Sequence, residues 1–309
     1  MDRLRPIGVF DSGIGGLSVL AALRAEMPAE HFVYISDSGH APYGERTDAY
    51  IIQRSLAVTH HLAAAHNVKA VVVACNTATA AAIGPLRQAF STLTIVGVEP
   101  ALKPALAHSR TGLIGVIGTR ATLTSTKFKA LLHSLEKQAN FVVQPCDGLA
   151  RTIEQAGTQV AQPQSASETR ALCAEYTAAM GVFGTQTGTI DTLVLGCTHY
   201  VFATSILREL LGPDVGLIDT GVPVARHTRR LLAAANALAS VGDGIYLSAG
   251  NSSQPDDPGN TGNPASYVPN SSAELHAVQF ITTGDPARLR AAAQRWLQIP
   301  EPSVAFALT

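Results

Sequence analysis

Two cysteines lie where short apolar runs end, and small polar residues follow each of them. Cys75 ends VVVAC and precedes Asn76 and Thr77, whereas Cys197 ends LVLGC and precedes Thr198. A thiol between a strand and a helix lies near backbone N–H groups, which lowers its pKa from about 8.5 and favours the thiolate. The pattern therefore predicts two reactive thiols that face each other across one substrate, with hydrogen-bond donors beside them.

The other two cysteines lack these polar followers. A single cysteine is most often a small buried apolar side chain, and Cys146 and Cys173 are interpreted in that way.

Asp11 lies in a glycine-rich turn, FDSGIGG, that follows an apolar run. Such turns often bind phosphate, but Gly13, Gly15 and Gly16 do not match G-x-G-x-x-G, and no Lys-Ser/Thr pair follows. An exposed cradle of amides beside a carboxylate suits an ammonium group or a proton relay. The alternative is that Asp11 only caps a helix or turn.

His199 follows Cys197 by two residues, so the two side chains could form a thiolate–imidazolium pair. A structural histidine is the alternative. A metal site is not indicated, because neither a C-x-x-C motif nor clustered histidines accompany the pair. A further polar loop, SDSGHAPYGER, offers the Tyr43 hydroxyl and the Gly44 backbone N–H to a carboxylate, or is simply a turn before the next helix.

The apolar runs that must position these residues are short and continuous rather than alternating, as in strands covered on both faces. The predicted strands are Ile7–Phe10, Phe32–Ser36, Ala70–Ala74, Thr94–Val98, Gly112–Ile117, Phe141–Pro145, Thr192–Gly196, Val215–Ile218, Ile245–Ser248 and Ala277–Thr282. Helical patterns lie between them, at Leu17–Met27, Asp48–His66 and Ser205–Leu211, and another starts at Pro286. This rhythm predicts doubly wound, mostly parallel α/β sheets, in which ligands bind beyond the carboxyl ends of strands.

A weak internal repeat is also visible. IGVFDSGIGG is echoed by IGVIGTRAT, and VVVACNTATAA by LVLGCTHYVFA, although any two α/β stretches share some likeness. We predict two pseudo-symmetric α/β domains with the active site between them: residues 1–98 plus 223–309, and residues 99–222. Residues 250–273 are rich in Gly, Asn, Ser and Pro, which predicts a mobile surface insertion in the first domain.

Composition favours small-molecule chemistry. The 309 residues carry a net charge of −1, which gives no electrostatic reason to expect nucleic acid or an anionic membrane as a partner. No apolar run reaches the roughly 20 residues of a membrane helix, and no signal peptide is recognised. The four scattered cysteines do not suggest a disulfide framework, so we expect a cytoplasmic protein with reduced thiols.

Seven motifs together carry a resemblance that spans about residues 7 to 297: FDSGIGGLSV, DSGHAPYG, ACNTATA, GTRATLTS, GCTHY, IDTG and FITTGD. In these motifs and their order the chain resembles the cofactor-independent aspartate/glutamate racemase superfamily, and ACNTA with GCTHY favours the branch that acts on glutamate. The resemblance implies interconversion of L- and D-glutamate by two cysteine bases, without cofactor or metal. It further implies a supply of D-glutamate for peptidoglycan synthesis in a bacterial cytoplasm, and it is compatible with a homodimer.

The resemblance also implies roles for single residues. The catalytic cysteines fall on Cys75 and Cys197, with Asp11 assisting the first, His199 the second, and Glu154 near the second. The implied substrate contacts are Asp11, Ser12, Tyr43, Gly44, Asn76, Thr77, Thr198 and His199, with Thr119 and Thr122 as additions. The chain departs from the family pattern at His40, where an arginine is usual, at Val201, where a proline is usual, and in residues 250–273.

Three other functions stay open at this point. Within the superfamily, the substrate could be aspartate or another small dicarboxylate or related amide. The shape of the pocket determines which side-chain length fits, and sequence pattern alone does not fix that shape. A thiol hydrolase or transferase would use Cys197 and His199 as nucleophile and base, but it leaves Cys75 unexplained. A non-catalytic amino-acid-binding protein would bind a ligand without exchanging its α-proton.

Overall fold

The computed structural model describes residues 3–158, 163–240 and 278–306. Its strands form a six-stranded and a four-stranded sheet, and the strand pairs within both are parallel. The strands are β1 (Ile7–Asp11), β2 (Phe32–Ser36), β3 (Ala70–Val73), β4 (Thr94–Gly97), β5 (Leu113–Gly118), β6 (Asn140–Pro145), β7 (Thr192–Leu195), β8 (Gly216–Ile218), β9 (Val278–Thr282) and β10 (Val304–Phe306).

Helices alternate with these strands along the chain. They are α1 (Leu17–Glu26), α2 (Asp48–His66), α3 (Asn76–Ala89), α4 (Leu102–His108), α5 (Arg120–Thr124), α6 (Thr126–Leu135), α7 (Leu149–Thr158), α8 (Pro163–Met180), α9 (Thr204–Leu211), α10 (Gly221–Ala234) and α11 (Pro286–Leu297). Short 3-10 helices cover Ser38–His40, Tyr43–Glu45 and Thr198–Ala203. The predicted α/β class, with mostly parallel sheets and interspersed helices, is confirmed.

The two sheets repeat one strand order. The smaller sheet runs β6-β5-β7-β8, and the larger contains the same order as β2-β1-β3-β4, extended at the β2 edge by β9 and β10. The two echoed motif pairs therefore fall on equivalent strands, β1 with β5 and β3 with β7. Cys75 and Cys197 each come two residues after an equivalent strand ends.

The strands β1, β2, β3 and β7 are buried on both faces, as their continuous apolar pattern predicts, whereas β6 and β8 are only partly buried. In β3, Val72 packs into one hydrophobic cluster, whereas Val71 and Val73 pack into another, because successive side chains of a strand point to opposite faces. Helices cover both faces, and this leaves the strand ends and the loops beyond them as the place for a site.

Several predicted boundaries are met to within one or two residues, and α2 and β2 coincide with their predictions. The short strand β10 was not predicted. The predicted strand Ile245–Ser248 and the predicted mobile insertion 250–273 lie outside the described residues. Within the described ranges, no helix has both the length and the apolar character needed to cross a membrane.

Candidate active site

One cavity of about 430 Å³ is lined by residues that follow strands of both sheets. Of the residues singled out in the sequence, the wall contains Ser12, Tyr43, Gly44, Cys75, Asn76, Thr77, Thr119, Glu154, Cys197, Thr198 and His199. Asp11 does not line the cavity, because it is fully buried behind Ser12. The structure thus brings both motif cysteines to one cavity.

Cys75 is the N-cap residue of α3 and lies in the wall with only 5% of its surface exposed. Its Sγ accepts a hydrogen bond from the Ala78 backbone N–H at 3.4 Å and lies 3.7 Å from Ser12 Oγ. Burial raises the pKa of the Cys75 thiol, and the nearby Asp11 charge raises it further. The expectation of a lowered pKa was therefore wrong for Cys75, because desolvation outweighs the hydrogen bonds from Ala78 and Ser12.

Asp11 reaches Cys75 through Ser12. Its Oδ1 accepts the Ser12 backbone N–H at 2.7 Å and lies 3.4 Å from Ser12 Oγ, while its Oδ2 accepts the Gly16 N–H at 2.5 Å. Burial raises the pKa of Asp11, whereas the positive charge of His199 and these N–H groups oppose that rise. The hydroxyl of Ser12, expected only to contact substrate, thus lies between carboxylate and thiol.

Cys197 has a different partner. Its Sγ lies 3.8 Å from His199 Nδ1, and His199 Nε2 lies 2.6 Å from Glu154 Oε2. Burial alone would lower the pKa of His199, but the hydrogen bonds to Cys197 and Glu154 and the charges of these groups raise it well above its usual value. Glu154 on α7 thus lies beside the imidazole that is next to Cys197.

The glycine-rich turn packs directly against His199 and Glu154. The Ile14 backbone N–H donates to Glu154 Oε2 at 2.9 Å, and a Cβ added to Gly13 or Gly15 would overlap Glu154 or His199 respectively. The expected exposed cradle was wrong, because the turn is buried and its amides at positions 12, 14 and 16 are bonded to protein carboxylates. The glycines therefore allow the backbone of the turn to lie close to Glu154 and His199.

We expect Gly15→Ala to lower turnover by roughly tenfold, because the added methyl group must displace the His199 imidazole. A displacement of a catalytic group by about 1 Å can lower the rate on the order of 10²-fold, and a smaller displacement is expected here. Gly84→Ala in α3 is the matched control, since its Cβ would meet nothing within 4 Å. Steady-state kinetics and thermal unfolding of both variants test this. Equal activity of the two variants would contradict the assigned contact.

Asn76 has an amide without a hydrogen-bond partner. It is 3% exposed, and in the described structure neither its amide oxygen nor its amide nitrogen is hydrogen-bonded. Unpaired buried amides are costly, and a ligand in the adjoining cavity could supply the missing hydrogen bonds. Nearby, Thr77 Oγ1 lies 3.1 Å from Thr119 Oγ1, which lies 2.9 Å from Thr122 Oγ1, so hydroxyls from both sheets meet beside Asn76.

The Tyr43 hydroxyl does not face a ligand as expected. It donates to Asp37 Oδ2 at 2.5 Å, and the ring is 1% exposed, so its hydroxyl proton is already committed. Gly44 lines the cavity with its backbone. His40, the departure in this loop, lies with Nδ1 2.8 Å from the Tyr50 hydroxyl and does not line the cavity.

Residues that sequence reasoning missed complete the wall. Arg151 pairs with Glu45, and Arg120 with Asp147, through exposed ion pairs. Cys146, interpreted as an apolar core residue, is indeed buried but also lines the cavity, and burial raises the pKa of its thiol. Its position one residue after β6 was the signal that could have placed it there.

The chain is similar to known proteins in both sequence and structure. A sequence profile of the family described as Asp/Glu/Hydantoin racemase matches residues 8–228. Two curated relatives are glutamate racemases. The enzyme of Ectopseudomonas mendocina (strain ymp) is 47% identical, and the alignment covers 76% of this chain and 85% of the relative. The enzyme of Stutzerimonas stutzeri (strain A1501) is 44% identical, and the alignment covers 77% of this chain and 86% of the relative. The crystal structure of glutamate racemase isoform RacE1 from Bacillus anthracis aligns over 99% of this chain and 98% of its own, with a TM-score of 0.77 and 27% identity.

Proposed function

Since the chain belongs to the Asp/Glu/hydantoin racemase family, we propose that it interconverts L- and D-glutamate with Cys75 and Cys197 as its two bases. The observation that carries this proposal is the shared cavity, in which each buried thiol has a separate acid–base partner. The names of the two curated relatives support glutamate as the substrate.

Racemisation removes the α-proton from one face of the carbon and adds a proton to the other. Two opposed groups achieve this without turning the substrate: one enters as thiolate and takes the proton, while the other enters as thiol and gives one. Each cycle therefore leaves the two sulfurs with exchanged protonation states, ready for the opposite enantiomer. His199 with Glu154 would stabilise the thiolate of Cys197, and Asp11 would act on Cys75 through Ser12.

The chief obstacle is the weak acidity of the α-hydrogen. A mismatch on the order of ten pKa units from a thiol corresponds to more than about 10 kcal/mol. The burial that raises the pKa of Cys75 makes its thiolate a stronger base and narrows this gap. Preorganised donors on the substrate carboxylate must contribute the rest, and Asn76, Thr77 and Thr198 in the cavity wall are suited to this.

The charges beside the cavity fit an amino acid. Asp11 and Glu154 are close enough for the Glu154 charge to raise the pKa of Asp11, whereas the positive charge of His199 lowers it. A substrate ammonium would be attracted to these two carboxylates. In a bacterial cytoplasm the product D-glutamate would supply peptidoglycan synthesis; that role and a homodimeric assembly remain predictions from the resemblance.

The test is ¹H NMR of L-glutamate and of D-glutamate with the purified protein in D₂O, without added cofactor. We expect the α-proton signal to disappear with both enantiomers as inversion proceeds. Exchange of aspartate but not glutamate would contradict the substrate alone. Absence of exchange with either amino acid would contradict racemisation.

A second candidate rests on the Glu154–His199–Cys197 arrangement, which resembles an activated nucleophile of a thiol hydrolase or transferase. It leaves the second thiol without a role. It also predicts that Cys75→Ala retains activity, whereas racemisation requires that it does not.

A further inference from the structure

The buried carboxylate of Asp37, which is not one of the acid–base groups, joins the loop that follows it, α2 and the segment after β9. Asp37 is fully buried and accepts hydrogen bonds from Tyr43 (Oη, 2.5 Å), Arg54 (Nη2, 2.8 Å, and Nε, 3.1 Å) and Thr283 (Oγ1, 2.8 Å). We call these four residues the Asp37 clamp. Both carboxylate oxygens are used, and the guanidinium supplies the compensating charge.

The members of the clamp come from well-separated parts of the sequence. Asp37 follows β2, Arg54 lies in α2, and Thr283 follows β9 within FITTGD, a motif that the proposed chemistry leaves without a role. β2 and β9 are adjacent parallel strands that pair up to Ser36 and Thr282, so their carboxyl ends bring Asp37 and Thr283 together.

The FITTGD segment also holds the loop between Asp37 and Tyr43. The Gly39 N–H donates to Thr283 Oγ1 at 3.1 Å, and Ser38 Oγ lies 2.9 Å from Thr282 Oγ1. A Cβ on Gly39 would overlap the Thr283 carbonyl, so the two backbones are in close contact. The end of β9 thus fixes the start of this loop, and the Tyr43 hydroxyl fixes its far end.

We propose that Asp37 and Thr283 are positioning residues that hold the Tyr43–Gly44 loop in its substrate-binding position. The inference rests on the proposed function, because Tyr43 and Gly44 line the cavity assigned there to glutamate. A loop that is already ordered loses little conformational entropy when it binds, so the clamp acts on substrate affinity. None of the hydrogen bonds of Asp37 reaches either thiol, and turnover of bound substrate is therefore less affected.

The decisive pair of variants is Thr283→Val and Thr283→Ser. Valine keeps the branched shape but removes the hydroxyl that bonds to the Asp37 carboxylate, and hydrogen bonds to charged groups are strong enough for a KM increase of about tenfold. We expect kcat to stay within about twofold, and serine to restore the wild-type KM. Thr189→Val is the control, because Thr189 uses its hydroxyl in a turn remote from the cavity, bonding to Gln186 O at 2.7 Å.

Hydrogen–deuterium exchange measures the same effect without activity. Thr283→Val should accelerate exchange in residues 38–46 but not around Cys75 or Cys197. If Thr283→Val fails to fold, Tyr43→Phe takes its place in the test. This variant removes the hydroxyl on the loop that donates to Asp37, and it should accelerate exchange in the same residues.

An unchanged KM together with a lowered melting temperature would show a merely structural role and overturn the inference. Unchanged exchange in residues 38–46 would overturn it as well. If the wild-type protein racemises neither glutamate nor aspartate, the proposed function fails instead, and the exchange measurement still decides whether Thr283 orders the loop.

Discussion

Replacing Cys75 or Cys197 by alanine will reduce the inversion of glutamate by at least about 10³-fold, because each direction needs one thiolate and one thiol on opposite faces of the α-carbon. Either loss removes a reacting group in both directions. Inversion is measured by circular dichroism starting from each enantiomer. Cys173→Ala is the control, since this thiol is equally buried, in α8, but does not line the cavity.

The positions of deuterium after reaction in D₂O distinguish a mechanism with two bases from a mechanism with one. With two, the thiol that delivers the new hydrogen has already exchanged with solvent, so early product carries deuterium while recovered substrate keeps its protium. A single base would return deuterium to the substrate as well. Retention of full inversion by Cys75→Ala would contradict the two-thiol mechanism and favour the Cys197 nucleophile.

Removing the imidazole beside Cys197 is expected to have the next largest effect. His199→Asn should lower kcat by about 10²- to 10³-fold, within the range of general acid–base groups, because Cys197 loses the cation that stabilises its thiolate. Glu154→Gln keeps the imidazole but removes its charged partner, so a smaller loss with an altered pH profile is expected.

The direction of the change in the pH profile follows from the groups that face His199: Cys197 beside it, Glu154 on α7 and Asp11 at the end of β1. The hydrogen bond and charge of Glu154 help to hold the pKa of His199 above its usual value, so glutamine lowers that pKa. The imidazolium is then lost at lower pH, and the high-pH limb of kcat/KM should move toward neutrality. Glu175→Gln, at an exposed site on α8, is the control.

If the high-pH limb of kcat/KM does not move in Glu154→Gln, that limb does not report the titration of His199.

The contact between His199 and Glu154 also affects the stability of the fold. Because the pKa of His199 is raised in the folded protein, this contact contributes fully to stability below the unfolded pKa of about 6.5, and the contribution is lost as pH rises through the folded pKa.

The sequence was most informative where a local pattern determines structure. The continuous apolar runs of β2 and β3 and the helical pattern of α2 are local signals, and they placed Cys75 at a strand end within the error of boundary assignment. The echoed motifs then indicated that Cys197 occupies the equivalent place, and the repeated strand order agrees with that. The proposed domain boundaries stay a prediction, although the strands of each sheet fall within the predicted ranges.

What local pattern could not predict is what each polar group contacts. Tyr43 was expected to bind a carboxylate and does, but the carboxylate is that of Asp37, whose partner Thr283 is distant in sequence. The rise in the pKa of Cys75 depends on burial by residues from the whole fold, which a strand-end motif does not reveal. For the same reason Ser12 could not be placed between Asp11 and its thiol from spacing alone.

The hydrogen bond from Ile14 to Glu154 joins a turn of the larger sheet to a helix packed beside the smaller one. Any hinge motion that separates the sheets to admit or release an amino acid must stretch this bond and draw the glycine turn away from His199. Glu154, His199 and Cys197 lie together on the side of the smaller sheet and would stay together, whereas Cys75, which follows β3 of the larger sheet, would move away from Cys197. The two thiols would face one substrate only when the sheets are closed, so closure and chemical competence would be one event.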